Sequence, residues 1–158
     1  MSNISKHITY EEATFSITAI RKGYDNTPSE SVVFRMKAVA NLLFEPLRRG
    51  LGDYKLRVSS FYRSPKVNKA VGGSRYSAHM YGNAIDIQSY KDTPITNAQI
   101  FYYTLYHLCF DQLIWEHGDK DEPAWVHISF KSDSKNRNQV LRAFSKDGKT
   151  HYTDFKIK

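Results

Sequence analysis

The sequence predicts an α+β fold, a small antiparallel sheet flanked by helices, on three observations. Helix-start signals crowd the first half of the chain, and period-two apolar runs bounded by turn residues crowd the second. The two kinds of segment also lack the strict strand-helix alternation of a doubly wound parallel sheet. A chain of 158 residues can bury a core without covalent staples, and no Pro/Gly/Ser-rich linker or internal repeat divides it, so a single domain over 1–158 is expected.

The helices are read from their caps. Thr9-Tyr-Glu-Glu12 and Thr27-Pro28-Ser29-Glu30 have the capping-box pattern, the second strengthened by a proline suited to a first helical turn. From there Val32, Val33, Met36, Val39, Ala40, Leu43 and Leu47 recur at helical spacing, giving a scaffold helix of about five turns whose end Pro46 should disturb. A short helix is expected after Ser64-Pro65, stopping at Gly72-Gly73. Another opens at Thr96-Asn-Ala-Gln99 and carries Ile100, Tyr103, Leu105 and Leu108.

Strands are expected over 56–61, 83–88, 112–115 and 125–130, where β-branched and aromatic residues cluster. Val140 to Ser145 and Thr150 to Phe155 flank Asp147-Gly148, a hairpin signal.

Composition narrows function. The excess of 23 Lys+Arg over 16 Asp+Glu, a net charge of +7, suits polyanionic partners, either nucleic acid or the anionic polymers of a bacterial wall. The basic residues are scattered and form no nucleic-acid motif, which makes a nucleic-acid role the lesser expectation. No stretch has the roughly 18 apolar residues of a membrane span, and the start, MSNISKHITYEE, has no signal-peptide core. Synthesis in the cytoplasm is expected, with any wall substrate reached after lysis or from a phage particle. The one cysteine, Cys109, lies in an apolar run and reads as a small buried hydrophobe. Oligomeric state is not legible.

Chemistry concentrates in Ser77-Ala-His79-Met-Tyr-Gly82-Asn-Ala84-Ile-Asp86. In one continuous strand, His79 and Asp86 would face opposite sides, because side chains alternate. A turn at Gly82 removes that conflict, leaving Ala84 and Asp86 on one strand face with His79 folded back over it. A catalytic zinc site needs a third protein ligand, and in Trp125-Val-His127-Ile-Ser129 the alternation turns His127 away from the core face of Val126 and Ile128.

These segments resemble the zinc D-Ala-D-Ala carboxypeptidase and peptidoglycan endopeptidase family, which shares its fold with the Hedgehog signalling domain. Ser77-x-His79-x-x-Gly82-x-Ala84-x-Asp86 matches the first signature of that family, and Trp125-Val-His127 matches the second in its Trp and His. Ser60-Phe-Tyr62-Arg63-Ser64-Pro65 is similar to a third segment, followed by Asn68 and Gly73 at similar spacing; together these cover 56–130. The resemblance implies one zinc ion per chain held by His79, Asp86 and His127, and a peptide of the bacterial wall as substrate. It also implies Arg63 as support for an oxyanion and Ser77 and Trp125 as substrate contacts. Arg63 could instead form an ion pair, and Ser77 could simply satisfy backbone groups.

One departure stands out. The family places a carboxylate three residues before the last histidine, as a base toward water, and Ala124 occupies that position here. Glu116 is the leading substitute, because it shares a strand face with Gln112 and Ile114. Glu122, in the charged turn after Gly118, and the absence of any base are the alternatives. In the last case the chain would be an inactive structural or wall-binding module. His7, His107, His117 and His151 have no companion ligands at recognisable spacing and read as structural or surface residues, His117 being nearest the site.

Overall fold

The computed structural model describes residues 2–157. Six helices precede or interrupt six strands: α1 (Tyr10–Thr14), α2 (Ile17–Lys22), α3 (Glu30–Val39), α4 (Glu45–Gly50), β1 (Leu56–Ser60), α5 (Pro65–Ala70), β2 (Ala84–Ser89), α6 (Asn97–His107), β3 (Gln112–Glu116), β4 (Trp125–Ser129), β5 (Gln139–Lys146) and β6 (Lys149–Asp154). All strands join one sheet in the order β1-β2-β4-β3-β5-β6. The α+β expectation holds, with one correction to "antiparallel". β3 and β5 run parallel, Glu116 lying opposite Ala143, while the other neighbours are antiparallel.

The parallel pair follows from the connection. Phe130 to Asn138 carries the chain past β3, and the buried Asp111 carboxylate stops it there. It accepts from the Arg137 backbone N–H at 3.0 Å and from the guanidinium at 3.0 and 2.7 Å.

The sheet has two unlike faces. Ile85, Ile87, Leu113, Trp115, Val126 and Ile128 alternate onto one face, each at most 1% exposed, and pack with Met36, Leu43, Phe44, Ile100 and Phe101 from the helices. The opposite face holds Asp86, Gln88, Glu116, Trp125 and His127, because register partners point the same way.

Several helix details differ from expectation. Thr27 caps nothing: the helix begins at Glu30 behind Ser29, and the Thr27 N–H instead donates to Asp25. Pro46 disturbs the scaffold helix without ending it. Residues Ala40–Phe44 widen into a π-helical turn that leads straight into α4, so Pro46 falls within the first turn of α4. Helix α2, absent from the sequence reading, is held by the Ser16 cap on Ala19 and a left-handed Gly23. On α6 the buried residues are Ile100, Phe101 and Thr104, whereas Tyr103 and Leu105 lie only against the core's margin. Cys109 is exposed rather than buried, because the chain has left α6 by Leu108 and has not yet entered β3.

Two glycines are fixed by close approach. Gly82 adopts φ +72, and an added Cβ would meet the Val32 carbonyl at 2.7 Å and Met36 Cγ at 2.8 Å. The turn carrying His79 is thus pressed onto α3. Gly73 lies against the Asn68 amide, where a Cβ would stand 2.1 Å from Oδ1. Gly82→Ala is expected to destabilise the protein by about 2 kcal/mol or more, combining left-handed strain with overlap against backbone. Urea unfolding of the variant beside wild type measures this.

Candidate metal centre

Three chain segments converge on the polar face. Asp86 in β2 lies directly opposite His127 in β4, so adjacent strands set these two side chains together. His79 comes from a 3-10 turn, Ala78–Tyr81, that Ser77 caps and the left-handed Gly82 closes. His127 Nδ1 lies 2.9 Å from Asp86 Oδ1, and His79 Nε2 lies 3.2 Å from both that oxygen and His127 Nδ1.

The orientation of His79 is set from behind. Its Nδ1–H donates to the Phe61 carbonyl at 2.7 Å, which leaves Nε2 as the bare nitrogen facing Asp86 and His127. Phe61 is held in turn. β1 carries a bulge that places Ser60, not Ser59, opposite Asp86 and re-aims the chain beyond it. The Tyr62 N–H then donates to the Ala13 carbonyl, while Asn26 accepts from the Ser64 N–H at 2.7 Å and donates to the carbonyls of Thr14 and Tyr62. Asn26 is a positioning residue that the sequence reading missed; nothing in its local pattern marks it, since its partners lie far along the chain.

The donor set fits a cation. Burial lowers the His79 pKa and keeps its imidazole neutral. Burial alone would raise the Asp86 carboxyl, but its interactions with His79 and His127 hold it well below the usual carboxylate range. The three mutually close atoms therefore carry more lone pairs than protons, an arrangement that a central cation resolves. Tetrahedral zinc with bonds of about 2.0–2.1 Å spaces its ligand atoms about 3.3 Å apart, close to the spacing found. Among the described residues, this is the one cluster of three or more His, Cys, Asp or Glu side chains with such convergence.

The other candidates separate. Glu116 lies on the same face, paired with Trp125, while its neighbour Ile114 is paired with His127. Glu116 and His127 are thus diagonal across adjacent strands, about 7–8 Å apart at the backbone. Burial pushes the Glu116 carboxyl up to about 7, with Asp86 adding to the rise and His127 and Arg63 opposing it. Arg63 forms no ion pair among the described residues. Its Nε is buried and unpartnered, and burial lowers its pKa against the pull of Asp86 and Glu116.

Ser77 Oγ accepts from the His79 N–H at 3.4 Å, a backbone-satisfying arrangement that leaves its own O–H free to donate. Trp125 shares the face of Glu116, its ring 5.2 Å from that of His117. His117 Nε2 lies 3.9 Å from a Glu116 oxygen, at the edge of the site. Glu122 is engaged elsewhere: its half-buried carboxylate accepts from the Asn97 N–H at 2.7 Å, at the start of α6. Ala124 extends its backbone to Gln88 and Asn97.

The sequence reading also missed Tyr152. The Asp147-Gly148 turn sets its register opposite Ala143, and Ala143 lies opposite Glu116, which puts the tyrosine on the polar face.

Residues 6–129 match the family model described as Peptidase M15. The match takes in the N-terminal helices as well as the motif-bearing segments and stops before the β5–β6 hairpin. A search of curated proteins returns no match.

The raised Glu116 pKa carries a stability consequence for the metal-free protein. Between an unfolded value near 4.5 and a folded value of about 7, the folded state holds a proton that the unfolded state has lost, so stability declines as pH rises across this window. Glu116→Gln is expected to be more stable than wild type by about 1–3 kcal/mol above pH 7, and the advantage should vanish below about pH 4.5. Denaturant titrations of both proteins in chelator, from pH 4 to 8, measure it.

Proposed function

The chain belongs to the peptidase M15 family, and on that premise we propose that it is a zinc-dependent peptidase hydrolysing a peptide bond in the stem peptides of bacterial peptidoglycan. The observation that carries the reading is the convergence of His79 Nε2, His127 Nδ1 and Asp86 Oδ1 on one point of the polar sheet face. These three residues would hold the metal, with His79 and His127 as neutral donors and Asp86 as the anion.

Zinc bound there would supply Lewis acidity, making water more acidic and a nearby carbonyl more electrophilic. The protein does the rest. Glu116, on the same sheet face as the three donors, takes a proton from the attacking water and returns it to the leaving amine nitrogen. Arg63 brings a buried cation with an unused Nε donor, suited to the negative charge that grows on the carbonyl oxygen. Trp125 offers an aromatic wall beside Glu116, and Ser77, whose Oγ caps the turn of His79, keeps an O–H that can donate to the bound peptide. Whether the chain trims a terminal D-Ala or cuts within the stem depends on the groove around this centre.

A second reading is favoured by one observation. Ala124 stands where the family resemblance calls for a carboxylate, and a chain lacking a competent base would be a structural or wall-binding module that keeps the fold and the metal.

Metal analysis and peptide hydrolysis separate these. Wild type is expected to bind one zinc per chain, and His79→Ala and His127→Ala each to lose stoichiometric metal; full occupancy in both variants would refute the ligand set. With zinc bound, the protein is expected to cleave purified peptidoglycan or a D-Ala-D-Ala-terminated stem pentapeptide, and chelator to stop it. Glu116→Gln should lower kcat by about 10²–10⁴-fold. A zinc-loaded wild type that cuts neither substrate supports the module reading, and an undiminished Glu116→Gln removes Glu116 as the base.

A further inference from the structure

The β5–β6 hairpin lies beyond the stretch matched by the family, yet its register delivers a side chain to the candidate site. Across the sheet, Trp125, Glu116, Ala143 and Tyr152 form one row on the polar face, contributed by β4, β3, β5 and β6 in turn. Neighbouring strands are about 4.8 Å apart, so the backbones at Glu116 and Tyr152 are separated by about 10 Å, with only the Ala143 methyl between them. A tyrosine side chain is long enough to lean across that gap. Ala143 is fully buried although it lies on the polar face, which requires larger neighbours to close over it, whereas Tyr152 keeps 55% of its surface exposed.

From this geometry we propose that Tyr152 is a substrate-binding residue of the peptidase, forming the wall of the site beyond Glu116 and donating its phenolic hydrogen to a carbonyl or carboxylate oxygen of the bound peptide. Three features agree. The tyrosine stands in the same row as Glu116 and Trp125 on the polar face. Burial, with the Glu116 and Asp86 carboxylates, raises the Tyr152 pKa against the opposing pull of Arg63, so the phenol stays protonated and can only donate toward an anionic or carbonyl acceptor. The ring is half open to solvent, so a ligand can reach it without displacing the core. The hairpin therefore acts as a specificity element attached to a ligand set that is complete without it.

This inference rests on the peptidase reading above, and its test separates the two. Zinc-loaded wild type, Tyr152→Phe and Tyr152→Ala are compared for kcat and KM on the stem pentapeptide ending in D-Ala-D-Ala. Binding of the same peptide is measured by calorimetry in the Glu116→Gln background, and zinc content is checked in every variant. Tyr152→Phe keeps the ring and loses only the hydroxyl. It is expected to raise KM and the peptide Kd about tenfold, with kcat within twofold and one zinc per chain retained. Tyr152→Ala should weaken binding further. If both variants match wild type in KM and Kd, or if kcat falls while KM and Kd stay unchanged, the binding role is overturned and the peptidase reading stands. If wild type neither binds nor cleaves the pentapeptide, the peptidase reading fails for this substrate and the role of Tyr152 fails with it.

Discussion

The hydrogen bond from His79 Nδ1 to the Phe61 carbonyl is the contact on which the candidate site depends. Asp86 and His127 need no such help, because cross-strand pairing in a continuous sheet already sets them side by side. His79 arrives from a short turn with no ladder to align it, and its ring would be free to rotate without a fixed acceptor. The surrounding structure supplies one: the β1 bulge, the Asn26 clamp and the contact of Gly82 with α3 all fix either the carbonyl or the turn. The helices that make up the first third of the chain thus contribute to the site by immobilising a backbone oxygen, without lending it a ligand.

The sheet divides labour between its faces. One is dry and covered by helices. The other carries a buried carboxylate, two imidazoles, a second carboxylate and an arginine with an unused donor. Such a concentration of partly satisfied polar groups is unfavourable for folding alone and is a feature of sites that receive a ligand. The acidities follow from the same placement. Asp86 stays ionised beside two histidines, whereas Glu116, with no side-chain hydrogen bond among the described residues, answers mainly to burial and moves the other way.

How much of this was legible in the sequence depends on the distance over which each feature is encoded. The relation of His79, Gly82 and Asp86 is written in ten residues, and the alternation in 125–130 turns His127 outward by local geometry alone. The face of Glu116 is equally local. What could not be read is set by partners far along the chain. The parallel pairing of β3 with β5 depends on where the Asp111–Arg137 clasp stops a loop, and Asn26 matters only because residues 62–64 pass beside it. Glu122 looked like a solvated turn residue because its partner, the Asn97 N–H, is 25 positions away. Pro46 marked the place of the disturbance but not its form: the helix absorbs it by a change of winding that no residue pattern announces.

The parallel seam between β3 and β5 also bears on motion. β6 is an edge strand exposed along its whole length, and β5 is fastened to the rest of the sheet by that seam and the Asp111–Arg137 clasp. Local opening of such a peripheral unit requires far less free energy than global unfolding, so its amides should exchange with solvent as a group while β2 and β4 stay closed. Each opening would let water reach Glu116 from the β5 side and return its carboxyl toward ordinary acidity, with the three converging donor atoms undisturbed. Proton affinity at Glu116 is in this sense a time-averaged property, governed by how long the hairpin stays seated.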